Sequence, residues 1–305
     1  MQSAVITVFG GTGFLGAAIV RALLRRGAWV RVAARRVDRK STIELPKAVS
    51  IVRADIRDEA SIEAALAGSS AAINAVGLYV ENQNERFQSV HVHGAGRLAR
   101  VAARAGVNRM VHVSGIGASP TSASSYVRSR EAGERAVLEH FPQAAVVRPS
   151  VLFGPGDSFL CTIDAITRRS PIFPLFGNGG TRLQPVFVDD VADAIAGIAE
   201  RSATNARFHE LGGPRIFTYR QIVEAVLHFR GRRRALLPVP FWMWMLQARA
   251  LAFVSNPPLT VDQVILMRTD NVVGRSVATF DDLGITPRDL EMLLPLCLAS
   301  KSANK

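Results

Sequence analysis

Glycines follow the first apolar stretch of the chain at a spacing suited to binding phosphate. The run extends from Gly10 to Gly16, with further glycines at positions 11 and 13. Gly10 permits a tight turn, Gly13 lets backbone amides approach a pyrophosphate, and Gly16 allows a helix to pack closely on a sheet. A helix that begins within the run directs N–H groups and its positive dipole end at the anion. We therefore predict a dinucleotide-binding loop made of Gly10, Gly11, Thr12, Gly13, Phe14, Leu15 and Gly16.

The position about 20 residues beyond such a loop distinguishes two dinucleotides, because an acidic residue there accepts hydrogen bonds from the ribose 2′-hydroxyl of NAD. Here Arg35 and Arg36 occupy that position. Guanidinium groups bind phosphate through two parallel N–H groups, so these residues favour the 2′-phosphate of NADP(H), with NAD(H) second. Asp55, after the third predicted strand, has two interpretations of equal weight: an acceptor for the adenine amino group, or a helix cap.

These residues need elements to position them, and the first half of the chain alternates short apolar runs with longer helical patterns. The runs are apolar on both faces, as strands covered by helices on each side require. We predict an α/β fold, a Rossmann-like doubly wound parallel sheet with a smaller, irregular C-terminal lobe. The predicted strands are 4–9, 29–34, 49–53, 71–76, 109–114 and 144–148, and the predicted helices are 14–26, 61–66, 85–104 and 125–140.

Beyond Pro149, glycine and proline interrupt the pattern, which indicates a more irregular lobe. A strand and helix pattern within 185–200, with Asp190 as a candidate helix cap, is expected to pack back on the sheet. The predicted division is a nucleotide-binding domain of 1–150 with 184–212, a smaller substrate or partner lobe of 151–183 with 213–300, and a polar tail of 301–305.

The 305-residue chain is strongly basic, with a formal net charge of +12, and only four of its 37 basic residues are lysines. Such a balance attracts phosphates, acidic proteins or anionic membranes. Most arginines are spread through helical patterns without interleaved aromatic residues, so we interpret them as solvated helix faces and expect no nucleic acid as a partner. Cys161 and Cys297 lack metal-ligand spacing, and we assign no metal. Residues 1–9 show no secretory leader, which predicts a cytoplasmic location.

A basic cluster at 230–234 runs into an apolar stretch at 236–254 that contains two tryptophans. Proline and arginine interrupt this stretch, which falls short of the roughly 20 apolar residues that span a bilayer. A helix that is apolar on almost all sides has to be covered by something. The sequence leaves open a lid on the smaller lobe, a peripheral contact of 230–254 with an anionic membrane, or a surface for a quinone, another lipid-like ligand or a partner subunit.

Several motifs occur in the order found in extended and atypical short-chain dehydrogenases/reductases. They are the glycine loop, Asp55, a strand end at Ser114, Tyr126 with a basic residue four positions later, and 148–150. The chain resembles that superfamily over essentially its whole length. Its stretches 125–134, 153–157, 184–191, 237–240 and 260–264 are similar to the NADPH-binding accessory subunits of respiratory complex I and their bacterial relatives.

The resemblance implies a Ser/Tyr/Lys constellation for hydride chemistry, with Ser114 and Tyr126 at the first two positions and Arg130 at the lysine position. In that constellation tyrosine exchanges the substrate proton, serine positions the carbonyl oxygen, and lysine holds the ribose. Arg130 supplies a positive charge one helical turn after Tyr126, but its planar fork cannot relay a proton as lysine does. The resemblance also implies nucleotide contacts from Ala75, Val76, Tyr126, Arg130 and Pro149.

Two functions follow from the resemblance. The first is an NADP(H)-holding accessory or assembly factor linked to complex I or ubiquinone metabolism, which acts at a membrane respiratory complex, in the cytoplasm or at the inner face of the membrane. The second is an active NADP-dependent reductase or epimerase that acts on a hydrophobic carbonyl or sugar-like substrate through Ser114 and Tyr126. Arginine at position 130 favours the first function, because turnover in the superfamily uses a lysine there.

Overall fold

The computed structural model describes residues 5–36, 48–82, 84–200, 206–254 and 257–299. Apolar runs without a polar face form most of its long strands, since helices cover both sides of a parallel sheet. The strands are β1 Val5–Phe9, β2 Trp29–Ala34, β3 Val49–Arg53, β4 Ser69–Asn74, β5 Arg109–Val113, β6 Ala145–Pro149, β7 Leu152–Phe153, β8 Ile172–Phe176, β9 Arg182–Leu183, β10 Val186–Phe187, β11 Phe208–Leu211, β12 Phe217–Thr218 and β13 Ala235–Val239. The helices are α1 Phe14–Arg25, α2 Glu59–Leu66, α3 Ala95–Arg104, α4 Ser125–His140, α5 Ser158–Arg169, α6 Val188–Glu200, α7 Tyr219–Phe229, α8 Phe241–Ala250, α9 Val261–Leu266, α10 Phe280–Leu283 and α11 Leu290–Leu298.

Within the described ranges, seven strands form one sheet in the order β11-β6-β5-β4-β1-β2-β3. The pairs β1–β2, β1–β4, β2–β3, β4–β5 and β5–β6 are parallel. The chain moves outwards from β1 to β2 and β3 and then returns to place β4 on the other side of β1. The carboxyl ends of β1 and β4 therefore form the switch point at which open parallel sheets bind ligands. The predicted doubly wound parallel sheet is confirmed, and β11 adds an edge strand that the sequence prediction lacks.

The sheet is stabilised by apolar residues of the helices that cover it. On one face, Ile62 of α2, Leu98 of α3 and Val137 of α4 are fully buried against Phe9 of β1 and Met110 of β5. A fully buried aliphatic or aromatic side chain contributes about 1.5–3 kcal/mol relative to an exposed one. This core holds the carboxyl ends of β1, β4 and β5 in place beneath the candidate site.

The arginines of the helical patterns meet acidic residues on neighbouring helices, as where α1 packs against α6. Arg25 donates to Asp193 at 2.6 Å, and Arg26 donates to Glu200 at 2.5 Å. Exposed pairs of this kind stabilise a fold by only ~0.2–1 kcal/mol each. The faces that we interpreted as merely solvated thus carry rows of ion pairs between helices.

The bounds of α1 and α2 differ from the predicted ones by one or two residues, and two other helices differ more. Because β10 leads directly into α6, this helix begins at Val188, and the prediction that Asp190 caps it is wrong. Asp190 lies in the first turn, where a carboxylate is favoured by the helix dipole. The helix predicted over 85–104 starts with a π-helical segment, Gln88–Gly94, before α3. Such wide turns are frequent at functional sites, and this one turns His91 into the interior.

The chain divides into two compact units. The described residues of the first belong to 1–148, 188–210 and 276–285, and those of the second to 149–187, 211–275 and 286–305. The sequence prediction places 276–285 in the smaller lobe, whereas the structure assigns them to the first unit. The reason is a backbone pairing of Ala278 with His209 of β11, strengthened by a 2.9 Å hydrogen bond from Glu210 N to Ala278 O.

Candidate functional site

Backbone geometry requires glycine at two positions of the predicted phosphate loop. Gly10, the first residue after β1, has a φ of +78°, which side chains other than glycine rarely tolerate. A Cβ at Gly10 would lie 2.8 Å from the carbonyl oxygen of Ala75, just beyond β4, and a Cβ at Gly16 would overlap the carbonyl oxygen of Gly10. The loop therefore presses against the end of β4 at the switch point of the sheet.

The loop leaves the first turn of α1 without a side-chain cap. Gly13 is the N-cap residue, and as a glycine it has no side chain that could accept a hydrogen bond from the first-turn amides. Gly13 N donates to the carbonyl oxygen of Gly10 at 2.9 Å, which closes the turn. The first amides of the helix are thus available to an anion. Thr12 and Phe14 are exposed, whereas Leu15 is buried and serves packing.

Arg35 follows β2 as expected, but its guanidinium group forms an ion pair with Glu85. The Glu85 side chain is 17% exposed and that of Arg35 is 52% exposed. Glu85 lies 50 residues further along the chain, so no sequence spacing indicates this partner of Arg35. Arg36 is exposed. A phosphate that binds Arg35 therefore has to compete with a carboxylate that is already there.

Asp55 lies just beyond β3 and is bound by Arg57. The Arg57 backbone N–H donates to Oδ1 at 2.9 Å, and Nη2 donates to Oδ2 at 2.7 Å. The side-chain hydrogen bond of Arg57, opposed by partial burial, holds the pKa of Asp55 below its usual value. The interpretation of Asp55 as a helix cap is wrong, since α2 begins at Glu59 after Asp58 at its N-cap. The adenine interpretation stays a prediction.

Tyr126 and Arg130 meet on α4 as the resemblance implies. Nε and Nη2 of Arg130 donate to Tyr126 Oη at 3.3 and 3.2 Å, and Nη1 donates to the carbonyl oxygen of Val113 at 3.2 Å. Burial disfavours the charge of Arg130, but Tyr126, Tyr79 and Glu134 together hold its pKa above the usual value. The buried guanidinium group therefore links β5 to α4.

Ser114 directly follows β5, and its hydroxyl group is buried. The residue is only 4% exposed, and its Oγ has no hydrogen-bond partner among the described residues. Buried hydroxyl groups are nearly always hydrogen-bonded, because desolvation without a partner is costly. An oxygen-bearing ligand would supply the missing partner, as the role of this serine in the superfamily requires.

The segment after β4 connects the phosphate loop with Arg130. Ala75 contacts Gly10, as described above, and a Cβ at Gly77 would lie 2.9 Å from Nη2 of Arg130. Sequence analysis did not single out Gly77, although a glycine so soon after a buried strand could have signalled this close approach. One short segment thus joins the two halves of the candidate site. Pro149 is the last residue of β6, and its contact with the nucleotide stays a prediction.

His91, in the π-helical segment, lies buried inside the first unit. Its Nε2 accepts a hydrogen bond from Leu78 N at 3.0 Å, so Nδ1 carries the proton and donates to Ser129 Oγ at 2.8 Å. Ser129 Oγ donates in turn to the carbonyl oxygen of Tyr126 at 2.7 Å. Burial, followed by the charge of Arg130, lowers the pKa of His91 to about 2. The π-helical segment turns this ring inwards.

His112 of β5 is a buried histidine of the core. Its Nδ1 lies 3.1 Å from Nδ2 of Asn74, while Asn74 Oδ1 accepts from Val76 N at 3.2 Å. The amide group therefore donates to the ring, and Nε2 carries the proton. Burial, followed by the charge of Arg130, lowers the pKa of His112 to about 3. Two neutral histidines thus accompany one buried cation.

Aromatic rings enclose Tyr126. Tyr79 stacks on it with 5.7 Å between ring centroids and 19° between planes, and Phe87 and His91 meet it edge-on at 5.6 and 5.7 Å. Tyr79 is itself 65% exposed, so it separates Tyr126 from solvent on that side. The phenol group is held between an apolar wall and the guanidinium group of Arg130, an arrangement that can exchange a proton at Tyr126 Oη.

A buried ion network supports this helix from behind. Glu134 of α4 accepts from Nε and Nη2 of Arg148 at 2.9 and 2.5 Å. Nη1 of Arg148 lies 3.4 Å from Oε1 of Glu210 in β11, and its guanidinium group packs on the ring of Phe208 at 4.7 Å. Arg148 therefore joins α4, β6 and β11, a role that its sequence motif did not indicate.

The basic cluster at 230–234 is largely turned inwards, contrary to the membrane-facing arrangement considered from the sequence. Arg230 and Arg232 both bind Asp164 of α5, at 2.9 and 2.8 Å. Arg234 donates to the carbonyl oxygen of Thr167 at 2.7 Å. Because one carboxylate and the carboxyl end of α5 attract these arginines, most of the cluster serves to fix α5 within the second unit.

Comparison with known proteins agrees with this geometry. A parallel sheet with a glycine loop at its switch point defines the dinucleotide-binding Rossmann class. The sequence profile of the NAD dependent epimerase/dehydratase family matches residues 6–211, and the chain belongs to that family. The expected short-chain dehydrogenase/reductase relationship is thereby confirmed.

Relatives with two different functions are similar to this chain. Subunit 9 of the mitochondrial NADH dehydrogenase (ubiquinone) 1 alpha subcomplex of Arabidopsis thaliana is 33% identical over 303 residues, which cover 94% of this chain and 75% of that protein. The ceramide reductase of Caulobacter vibrioides is 31% identical over 238 residues, covering 77% and 74%. The crystal structure of UDP-glucose 4-epimerase from Thermus thermophilus with NAD shares the fold, with a TM-score of 0.64, 21% identity and coverage of 77% and 86%.

Proposed function

We propose that this chain binds NADP(H) at the carboxyl ends of β1 and β4. The amides from Gly10 to Gly16 would hold the pyrophosphate, and Arg35 would hold the 2′-phosphate. Two observations support the fit: the glycine loop closes on Ala75 with no room for a side chain, and the first turn of α1 lacks a side-chain cap. When bound, the nicotinamide ring supplies hydride chemistry.

We propose further that the nucleotide is held as a structural ligand, in an accessory or assembly factor of a complex I-type or ubiquinone-linked membrane assembly. The observation that carries this role is the environment of Arg130. Each of its three nitrogens already donates to Tyr126 or to Val113, so the side chain acts as a fixed link rather than as the mobile cation that lysine provides. Similarity to the Arabidopsis subunit supports the same role.

Nucleotide retention tests this proposal. Purified protein is expected to carry NADP(H) through dialysis and to show no substrate-dependent loss of reduced-nicotinamide absorbance. Gly10→Ala should abolish retention, since a Cβ there meets the carbonyl oxygen of Ala75. Gly27→Ala is the matched control, because Gly27 also has a positive φ, +80°, but no described atom lies within 4 Å of its Cβ position. Equal losses of nucleotide retention in the two variants, or turnover with a carbonyl substrate, would contradict the proposal.

Ser114 favours a second candidate, an active NADPH-dependent reductase. A buried hydroxyl without a partner is suited to positioning a substrate oxygen, and Tyr126 Oη beside Arg130 can supply the proton. Similarity to ceramide reductase supports the hydrophobic carbonyl substrate rather than the sugar-like one. Under this alternative, NADPH oxidation depends on added substrate, and Tyr126→Phe abolishes it.

A membrane surface is the partner that we propose for the second unit. Trp242 and Leu246 of α8 and Phe253 beyond it are exposed, whereas Trp244 anchors the helix by donating from Nε1 to the carbonyl oxygen of Leu175 at 3.1 Å. No acidic residue occurs at 225–261. Arg230, Arg232 and Arg234 bind α5, but Arg233 and Arg249 are exposed, and an apolar face beside these two charges suits the interface of an anionic bilayer. No helix in the described ranges is long and apolar enough to cross a membrane.

Vesicle sedimentation measures this contact. The protein is expected to pellet with vesicles that contain phosphatidylglycerol, and less so as salt is raised, because screening weakens attraction between exposed charges. Trp242→Ser combined with Leu246→Ser should release it. Met292→Ser is the control, since Met292 is an exposed methionine on α11. Binding that is equal for both variants, or absent in the wild type, would leave α8 without this role.

A further inference from the structure

We propose that Glu85 is a specificity-determining residue, which competes with a ribose 2′-phosphate for Arg35 and provides an acceptor for a ribose 2′-hydroxyl. This inference rests on the dinucleotide site proposed above. It concerns the choice between the two nicotinamide dinucleotides, which the sequence attributes to Arg35 alone.

Glu85 is the fixed partner of its ion pair with Arg35. Its side chain is 17% exposed, a third of the value for Arg35. Asn82 Nδ2 donates to Oε2 of Glu85 at 3.3 Å, and the backbones of Asn82 and Glu85 pair with each other in both directions, at 3.0 and 3.4 Å. A carboxylate held in this way stays in place, whereas the more exposed guanidinium group can reorient.

A second contact fastens the same loop to the neighbouring strand end. Nη1 of Arg57, which binds Asp55 beyond β3, donates to the carbonyl oxygen of Asn84 at 3.2 Å. The loop after β4 is thereby attached near the ends of both β2 and β3. It brings a carboxylate against the guanidinium group of the residue at which dinucleotide sites that select NAD have Asp or Glu. Asp or Glu is absent from that sequence position here, yet the fold supplies Glu85 from another segment.

The charges determine the direction of the effect. A 2′-phosphate that approaches Arg35 meets the negative charge of Glu85, and like charges a few ångströms apart repel each other. A 2′-hydroxyl carries no charge and can donate to the same carboxylate, as in sites selective for NAD. The preference for NADPH over NADH should therefore be smaller than Arg35 by itself would produce.

Calorimetric titration of NADPH and NADH into protein that has first been stripped of its retained nucleotide tests this inference. Glu85→Gln is expected to raise the ratio of the two affinities about tenfold in favour of NADPH, the effect of removing a partly screened like charge. The control is Glu81→Gln, which removes the same charge from the same loop. Glu81 accepts from Phe87 N at 2.7 Å and has its ion pair with Arg86, not with Arg35.

The possible results separate this inference from the function on which it depends. An unchanged or lower ratio in Glu85→Gln, with both nucleotides still bound, overturns the role of Glu85 alone. An equal rise in Glu81→Gln also overturns it, because the effect would then be one of net charge. If the wild type binds neither nucleotide, the dinucleotide site itself is refuted. Glu85→Ala serves as a second variant, and its ratio should change in the same direction.

Discussion

Replacing Arg148 by methionine is expected to lower the free energy of unfolding by about 3–5 kcal/mol, because the change leaves two carboxylates without their shared cation in the interior. Glu134 and Glu210 expose only 4% and 10% of their side chains, so water cannot replace the guanidinium group. The variant also loses the contact with Phe208. Urea unfolding followed by circular dichroism measures the difference.

The matched control for this prediction is Arg104→Met. Arg104 also binds two carboxylates, Glu59 and Glu63, but these side chains are 35% and 55% exposed. Solvent screens such pairs, and their loss should cost less than about 1 kcal/mol. Equal losses of stability in the two variants would show that burial of the Arg148 network contributes nothing beyond a surface ion pair.

Acidification should destabilise the protein through its two neutral histidines. In the unfolded chain His91 and His112 gain a proton as pH falls through about 6.5, the ordinary histidine pKa. In the folded chain their pKa values are about 2 and about 3, so they stay neutral there. The unfolded state then binds more protons, and the free energy of unfolding falls as pH decreases below 6.5. The limiting slope is about 1.4 kcal/mol per pH unit for each histidine.

Unfolding experiments between pH 7 and 5 measure this slope in the wild type and in His112→Gln. The variant retains an acceptor for Asn74. The slope of its unfolding free energy against pH should be smaller than that of the wild type by about the contribution of one histidine. His209, whose pKa burial also lowers, adds in the same direction in both proteins and cancels in the comparison. His93→Asn is the control, since His93 lies on the exposed part of the π-helical segment. A slope that is identical in the wild type and in His112→Gln would contradict the neutral state of His112.

Local patterns accounted for the parts of the molecule that the sequence predicted well. The six predicted strands have ends at most two residues from those observed, since continuous apolar runs can only be buried on both faces. The glycine loop begins directly after β1, at the switch point. Arg130 contacts Tyr126 because residues four apart in a helix share a face, and Asp55 and Arg57 meet because they are neighbours in the chain.

Pairs between distant segments escaped sequence analysis. Glu85 on Arg35 and Asp164 on Arg230 and Arg232 join residues with no common spacing. The chain has 37 basic and 25 acidic residues, so each arginine had many possible acidic partners. The inward turn of His91 depends on a π-helical segment that resembles an ordinary helix in its sequence.

By itself, then, the sequence determined the parallel sheet, the phosphate loop and the Tyr126–Arg130 contact, because hydrophobic periodicity, glycine spacing and helical repeat are local properties. Only the tertiary structure decided which charges meet, which histidines are neutral and that a carboxylate lies beside Arg35. A parallel sheet brings the ends of remote segments to one edge, and the electrostatics of that edge depend on distances in space that no sequence period encodes.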